Sequence, residues 1–458
     1  MTNAAVGFSS APKFILKSLD WFERPVAYRK PFKFGAATIT EAPQLFLKAE
    51  IETDRGRSIG ATAELMVPKW FNKDPALTTD ETVEQLRRVL TVARDCYFAH
   101  DKADTAFGLH AACHADVLAL CVRETIPGLA AAFGPAQFDK AILDALLRAH
   151  NLDVFSGLRG NVVGLDARLT PDLTDGAITS YLESRVPPRR VMVRHTFGMA
   201  DPIESLAETY RKSGCRYFKI KLSGDPMADA ARLELIVAEL DRHKIDYRAT
   251  LDANEQYADL DALAKLTSML MNERQFAQFP QRLLYIEQPL PRDLTFTTPL
   301  GVLGESFAFI VDEAESDYDT FPKALALGYR GISSKSCKGI YKSLLNGARA
   351  AAWTQSGKAR AFLAAEDLTC QAGLSVQQDT ALLAFHGIAH AERNGHHYVD
   401  GFASASDAEI EAFCTAHPDF YAGRSGLAVR DGGLEIGSLT QPGFASGVDP
   451  ASIAAPHA

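Results

Sequence analysis

The chain lacks any uninterrupted apolar run of about 18 residues, the length a bilayer span requires. Its opening stretch, MTNAAVGFSSAPKF, has no basic start followed by a hydrophobic core, so no secretory leader is expected. Cysteine is sparse. Cys96, Cys113, Cys121, Cys215, Cys337, Cys370 and Cys414 are odd in number, scattered, and never in C-x-x-C spacing. That pattern excludes a disulfide framework and a cysteine zinc site, and the expected compartment is the reducing cytoplasm. A basic excess is missing too: the formal net charge of −9 argues against nucleic acid or an anionic membrane as partner. Low-complexity linkers and single-sign charge runs are also absent. What is there is a 458-residue chain of globular composition, long enough for a large core and, by length, two domains.

The pattern changes along the chain. QLFLKAEIET (44–53) and SIGATAEL (58–65) read as strands joined by a turn at Asp54–Arg57. Thr78 and Glu81 have capping-box spacing at the head of a helix, and further helices are expected over 114–133 and 136–150. From RRVMVRHTF onward the order is strand then helix. Strands are expected near 190–196, 216–222, 247–252, 282–287, 307–312, 329–335, 359–366 and 387–392. Eight such units predict a parallel βα barrel. The expected division is an α+β domain over 1–150, a barrel over 151–402, and a C-terminal segment over 403–458 that folds back onto the first domain.

Five apolar runs end in a charge: FKIKL at Lys219 and Lys221, ATLDAN at Asp252, LLYIEQP at Glu287, FIVDE at Asp312, and ISSK at Lys335. In a barrel of this kind the C-terminal strand ends carry the active site. Asp252, Glu287 and Asp312 fall on the third, fourth and fifth strands and are therefore neighbours. Three carboxylates crowded together repel unless a cation shares them. An all-oxygen set without His or Cys suits Mg²⁺, or Mn²⁺ in its place. Lys219 and Lys221, two apart on a strand, share a face, and Lys335 ends the sixth strand across the mouth. Two ammonium groups that close, beside a divalent cation, are expected to leave one lysine ready to accept a proton. The chemistry this predicts is removal of the proton α to a carboxylate, with the enediolate charge met by the cation and the lysines.

The ordered motifs Lys219-Ile220-Lys221, Asp252-Ala253-Asn254, Glu287-Gln288-Pro289, Asp312-Glu313 and Lys335 resemble those of the enolase superfamily, in its muconate-lactonizing-enzyme-like branch. The resemblance implies a modified (β/α)7β TIM barrel under an α+β cap built from both termini. It implies Asp252, Glu287 and Asp312 as metal ligands, Lys221 and Lys335 as the acid/base pair, and Lys219 as the residue that tunes its neighbour. It also implies a small carboxylate substrate, with racemisation, epimerisation or cycloisomerisation as outcome, or dehydration as the alternative. A homo-oligomer is expected by the same analogy. Two departures stand out: MNERQFAQFPQRLL lengthens the step from Asp252 to Glu287, and Lys338-Gly339-Ile340 replaces a glycine pair after Lys335.

Several residues carry a bland reading beside a functional one. Asn254, Glu313, Glu366 and Glu392 are candidates for contact with the substrate or support of the ligands. For His195 on the first strand and His390 on the eighth, a satisfied buried histidine is the commoner outcome, and His396 and His397 read as a solvated loop pair. Trp70 and Phe71 either line the pocket from the cap or seal the interface below it. An amidohydrolase-type barrel would need His-x-His on the first strand, where the chain has Arg194-His195-Thr196. A barrel retained only for binding would have lost a ligand or a base, and none is missing.

Overall fold

The computed structural model describes residues 10–34 and 37–453. The first nine residues, on which most of the leader reading rests, Gly35 of RKPFKFG and the last five residues lie outside that set. The first sheet is antiparallel, in the order β1 (Ile15–Phe34), β2 (Ala37–Thr53), β3 (Gly56–Leu65). Gly56, at φ +100, makes the turn between β2 and β3 possible, because an L side chain is strained there.

Three long helices follow, with a single helical turn, Gly128–Ala131, between the second and the third. Thr78 caps the helix Thr79–Ala99 in a full capping box: its hydroxyl accepts the Glu81 N–H while Glu81 accepts the Thr78 N–H. The helix expected over 114–133 instead runs Ala106–Arg123, capped by Thr105. It stops there because Thr125 takes φ +57 and Pro127 follows. This helix is long and apolar enough by composition to cross a membrane. However, it buries one face in the protein, where His110 bonds Tyr97 and Tyr318. The third helix, Phe133–Ala149, lies so close to β3 that a Cβ on Gly60 would stand 2.2 Å from Ala141 O and Ala145 N.

Eight parallel strands make the barrel: β4 (Arg190–Phe197), β5 (Tyr217–Lys221), β6 (Arg248–Asp252), β7 (Leu283–Glu287), β8 (Phe309–Val311), β9 (Gly331–Ser334), β10 (Phe362–Ala365) and β11 (His390–Glu392). Each falls within a residue or so of an expected strand, or inside one. Hydrogen-bonded neighbours run β10-β9-β8-β7-β6-β5-β4-β11. Among the described residues no ladder joins β10 to β11. Helical segments connect all seven steps, which gives the (β/α)7β order. The long step after Asp252 is filled by two extra helical turns, Arg274–Phe276 and Phe279–Arg282, which bury Phe276 and Phe279 in the barrel's apolar shell.

The C-terminal segment touches both parts. β12 (Gly433–Glu435) pairs antiparallel with the start of β4. Glu409 meets Arg24 of β1 in a buried two-pronged ion pair, and Asp144 of the third helix accepts the Phe444 N–H.

Candidate active site

Alternation along β5 puts Phe218 and Ile220 into the outer apolar shell and turns Lys219 and Lys221 inward. Strand register then lines up Lys221 with Asp252 and Asp252 with Glu287. Asp312 and Lys335 come one residue past β8 and β9. Gln288, at φ +37, holds the next loop in place: its Oε1 accepts the N–H groups of Asp312 and Ala314, while its Nε2 donates to Leu290 O and Thr295. Asn254, Glu255 and Thr369 also take positive φ beside the strand ends, a concentration of backbone strain typical of functional sites.

The Lys219 ammonium is ringed by four carboxylates: Asp252 at 2.9 Å, Glu287 at 2.8 Å, Glu366 at 2.9 Å and Glu392 at 2.9 Å. It thereby ties the tips of β10 and β11, the pair without a ladder. Lys221 donates to Asp252 Oδ2 at 2.6 Å and Asn254 Oδ1 at 2.7 Å. Across the mouth Lys335 donates to Asp312 Oδ2 at 2.7 Å. All of these side chains are buried. Asn254 continues to Glu313, which Lys73 of the cap reaches at 3.3 Å.

Glu366 and Glu392, candidates from sequence, thus act first as partners of Lys219. Glu366 is further gripped by Arg194 and by the Tyr285 hydroxyl, Glu392 by Thr196 and Asn394. Sequence reasoning did not single out Arg194, Tyr285, Gln288, Lys338 or Asn394. Arg194 had one signal, its place two residues before Thr196 on the inward face of β4. Lys338, noted only as a loop departure, sets a second ammonium on Asp312, 2.9 Å from Oδ1, and also contacts Glu315.

Other candidates fall elsewhere. His195 bonds His397 at 2.9 Å, and neither lines the pocket. His396 and His397 are not a solvated pair. Both residues are half-buried, and Arg29 donates to both of their carbonyls. His390 stacks on Tyr217 and contacts Arg194. Phe71 is buried against Phe133 and seals the interface, whereas Trp70 lines the pocket.

The carboxylates set the charge on the amines. Neither Lys219 nor Lys335 is poised to give up its proton as the groups stand. Burial alone would depress both, but four carboxylates hold Lys219 well above its ordinary value, and Asp312 raises Lys335. Against their own burial, Asp252 is held low by Lys219 and Lys221, and Asp312 far lower by Lys335 and Lys338. Glu287 goes the other way, pushed well up by burial and by Asp252 and Glu366.

The donor set suits a hard divalent cation in its chemistry. It is all carboxylate oxygen, and all three side chains are buried. Its spacing is wider than one ion would leave it. Among the described residues, Asp367, Cys370 and Asp379 form the one trio of possible ligand atoms lying within 4.8 Å of one another. There Asp367 accepts the N–H groups of Cys370, Asn394 and Gly395, and Asp379 accepts that of Ser336. That trio is a loop-holding hub. The oxygens of Asp252, Glu287 and Asp312 stand farther apart, with lysine ammonium groups drawn in among them.

No family model and no curated protein matches the sequence. Solved structures do. An enolase superfamily member from Roseovarius nubinhibens ISM aligns over 98% of this chain and 99% of its own, with TM-score 0.61 and 16% identity. A dipeptide epimerase from Enterococcus faecalis V583, complexed with Mg and the dipeptide L-Leu-L-Tyr, aligns over 94% and 99%, with TM-score 0.59 and 16% identity. A mandelate racemase/muconate lactonizing protein from Herpetosiphon aurantiacus aligns over 93% and 97%, with TM-score 0.58 and 16% identity. The chain has the enolase superfamily fold. In that fold the strand ends described above form the mouth of the barrel, and β1–β3 with their helices form the cap over it.

Proposed function

We propose that the protein is a racemase or epimerase that abstracts the α-proton of a small carboxylate, within a (β/α)7β catalytic barrel (151–402) capped by residues 1–150 and the returning segment 403–458. One observation carries the reading: Lys221 and Lys335, from the second and sixth barrel strands, line one pocket together with Asp252 and Asp312. An α-carbon held between them presents one face to each amine. The lysine that enters turnover neutral takes the α-proton at its Nζ, and the opposite ammonium returns a proton to the other face. The Lys219 ammonium, fixed by four carboxylates, offsets charge gathering on the substrate carboxylate. Asp252, Glu287 and Asp312 are the residues that would hold Mg²⁺, which when bound polarises a substrate carboxylate. The matching environments of Lys221 and Lys335, one strand-end aspartate each, favour two-base inversion over a single-base elimination or cycloisomerisation.

The test is incubation in deuterium oxide with a set of carboxylates, followed by NMR. Wild type should exchange the α-proton of a substrate and interconvert its enantiomers. Lys221→Ala and Lys335→Ala should each lose inversion. Retained inversion in either variant, or no exchange with any carboxylate, would overturn the proposal. Mg²⁺ should raise the melting temperature of wild type and not of Asp252→Ala.

A further inference from the structure

We infer that a cleft walled by Arg211, Arg216 and Arg430, at the opposite end of the barrel from the strand-end lysines, binds a small phosphate-bearing anion. Arg216 immediately precedes β5, and Arg430 precedes β12, which pairs with the start of β4. The cleft therefore opens where the strands begin, and the inference stands independently of the proton-transfer reading. It measures ≈ 500 Å³, within the range of small-molecule sites.

Separate stretches of chain meet to build it. The helix Ser205–Ser213 brings Tyr210, Arg211 and Lys212, and ends at Gly214 in the left-handed conformation, φ +73. The Asp431–Gly432 turn is pressed against that end. The Gly432 N–H donates to Ser213 O, and a Cβ on Gly214 would stand 2.8 Å from Asp431 Cα. Arg190 of β4 donates to the Arg430 carbonyl. Backbone contacts thus bring the guanidiniums together, against their mutual repulsion.

Charge identifies the ligand. Arg211, Lys212, Arg216 and Arg430 line the cleft against one carboxylate, Asp431. The chain as a whole carries −9, so this excess of cations is local. Lys212 pairs with Glu208, and the neighbouring Arg190 with Glu435. Among the described residues Arg211, Arg216 and Arg430 form no ion pair. The Arg211 Nε donates to Ala207 O, and the Arg216 guanidinium lies 5.5 Å from the Tyr210 ring centroid. Three guanidiniums gathered without counter-charge repel one another, and a bound anion relieves that cost. A lone carboxylate is satisfied by one guanidinium fork, whereas a phosphate offers more charge and more oxygens to several forks at once. Arg216 already occupies the Tyr210 ring, so little apolar wall remains for a carbon body, and the ligand is compact. Nucleic acid or an anionic bilayer would extend beyond the cleft onto an acidic surface that repels it.

Calorimetry at low ionic strength, in metal-free buffer, tests this with inorganic pyrophosphate and citrate. Pyrophosphate should bind one per chain, and more tightly than citrate, whose charge is all on carboxylates. The double variant Arg211→Gln/Arg430→Gln should lose at least ~10-fold in pyrophosphate affinity. Both side chains are exposed, so its melting temperature without anion should match wild type. Arg216→Gln, on a different element, should weaken binding as well. Lys335→Ala, which alters the barrel mouth, should keep wild-type affinity. Absence of pyrophosphate binding by wild type overturns the inference. Unchanged binding in the arginine variants, loss of binding in Lys335→Ala, or citrate binding as tight as pyrophosphate would each overturn it too.

Discussion

Replacing Lys140 with methionine should destabilise the protein in a way that depends strongly on pH. Lys140 lies on the third cap helix and Glu64 on β3. Both are fully buried, their charges 2.8 Å apart. Glu64 also accepts the hydroxyls of Ser375 at 3.1 Å and Ser336 at 3.4 Å, so the pair joins the cap to the loops beside Lys335. Removing one partner of a buried pair typically costs about 3–5 kcal/mol, because the other charge is stranded. Proton uptake sets a ceiling on that cost. Neutralising an ordinary glutamate, with a pKa of about 4.3, costs about 1.36 kcal/mol per pH unit, hence about 3.7 kcal/mol at pH 7 and about 1 kcal/mol at pH 5. A carboxyl driven toward its protonated form in the fold contributes stability at low pH and loses it as pH rises. Lys140→Met should therefore cost about 3–4 kcal/mol at pH 7 and about 1 kcal/mol at pH 5, by urea unfolding followed through tryptophan fluorescence. Adding Glu64→Gln should restore most of the loss. An equal penalty at both pH values, or no recovery in the double variant, would refute the argument.

Acid sensitivity should begin well above the carboxylate range. Burial pushes His195 down to about 4 and His386 to about 3, and burial with Arg194 takes His390 to about 3. The unfolded chain, near 6.5, then binds more protons than the fold, so stability falls as pH drops from about 6.5 toward 3, by up to about 1.36 kcal/mol per unit for each histidine. A urea-midpoint series should show this slope, and His386→Gln should flatten it; a midpoint constant from pH 7 to pH 5 would contradict it. Gly60→Ala should cost about 1–3 kcal/mol or more, because the added methyl meets helix backbone at 2.2 Å that no rotamer can move. Unchanged unfolding of that variant would show that β3 and the helix can part freely.

Local chemistry made much of the fold readable. Each barrel strand was announced by an apolar run ending in a charge or a turn, and two-residue alternation put Lys219 and Lys221 on one face before any coordinates. The Thr78–Glu81 box was equally plain, since both halves of it lie within one turn. What stayed hidden depends on pairs distant in sequence. Arg194 finds Glu366 only because the barrel curls β4 toward β10, and Lys338 reaches Asp312 from the turn after β9. The helix from Ala106 was misplaced because its small, evenly apolar residues give little contrast between faces.

The missing ladder between β10 and β11 has a consequence for engineering. Elsewhere the staves are sewn by main-chain bonds that any side chain tolerates, but here side chains bridge the gap: Lys219 through Glu366 and Glu392, and Asp367 through Asn394 and Gly395. A library that varies position 219 to alter turnover also removes one of those ties. Loss of activity in such a library should be scored against wall integrity, for instance by hydrogen exchange in β10 and β11, before it is assigned to chemistry.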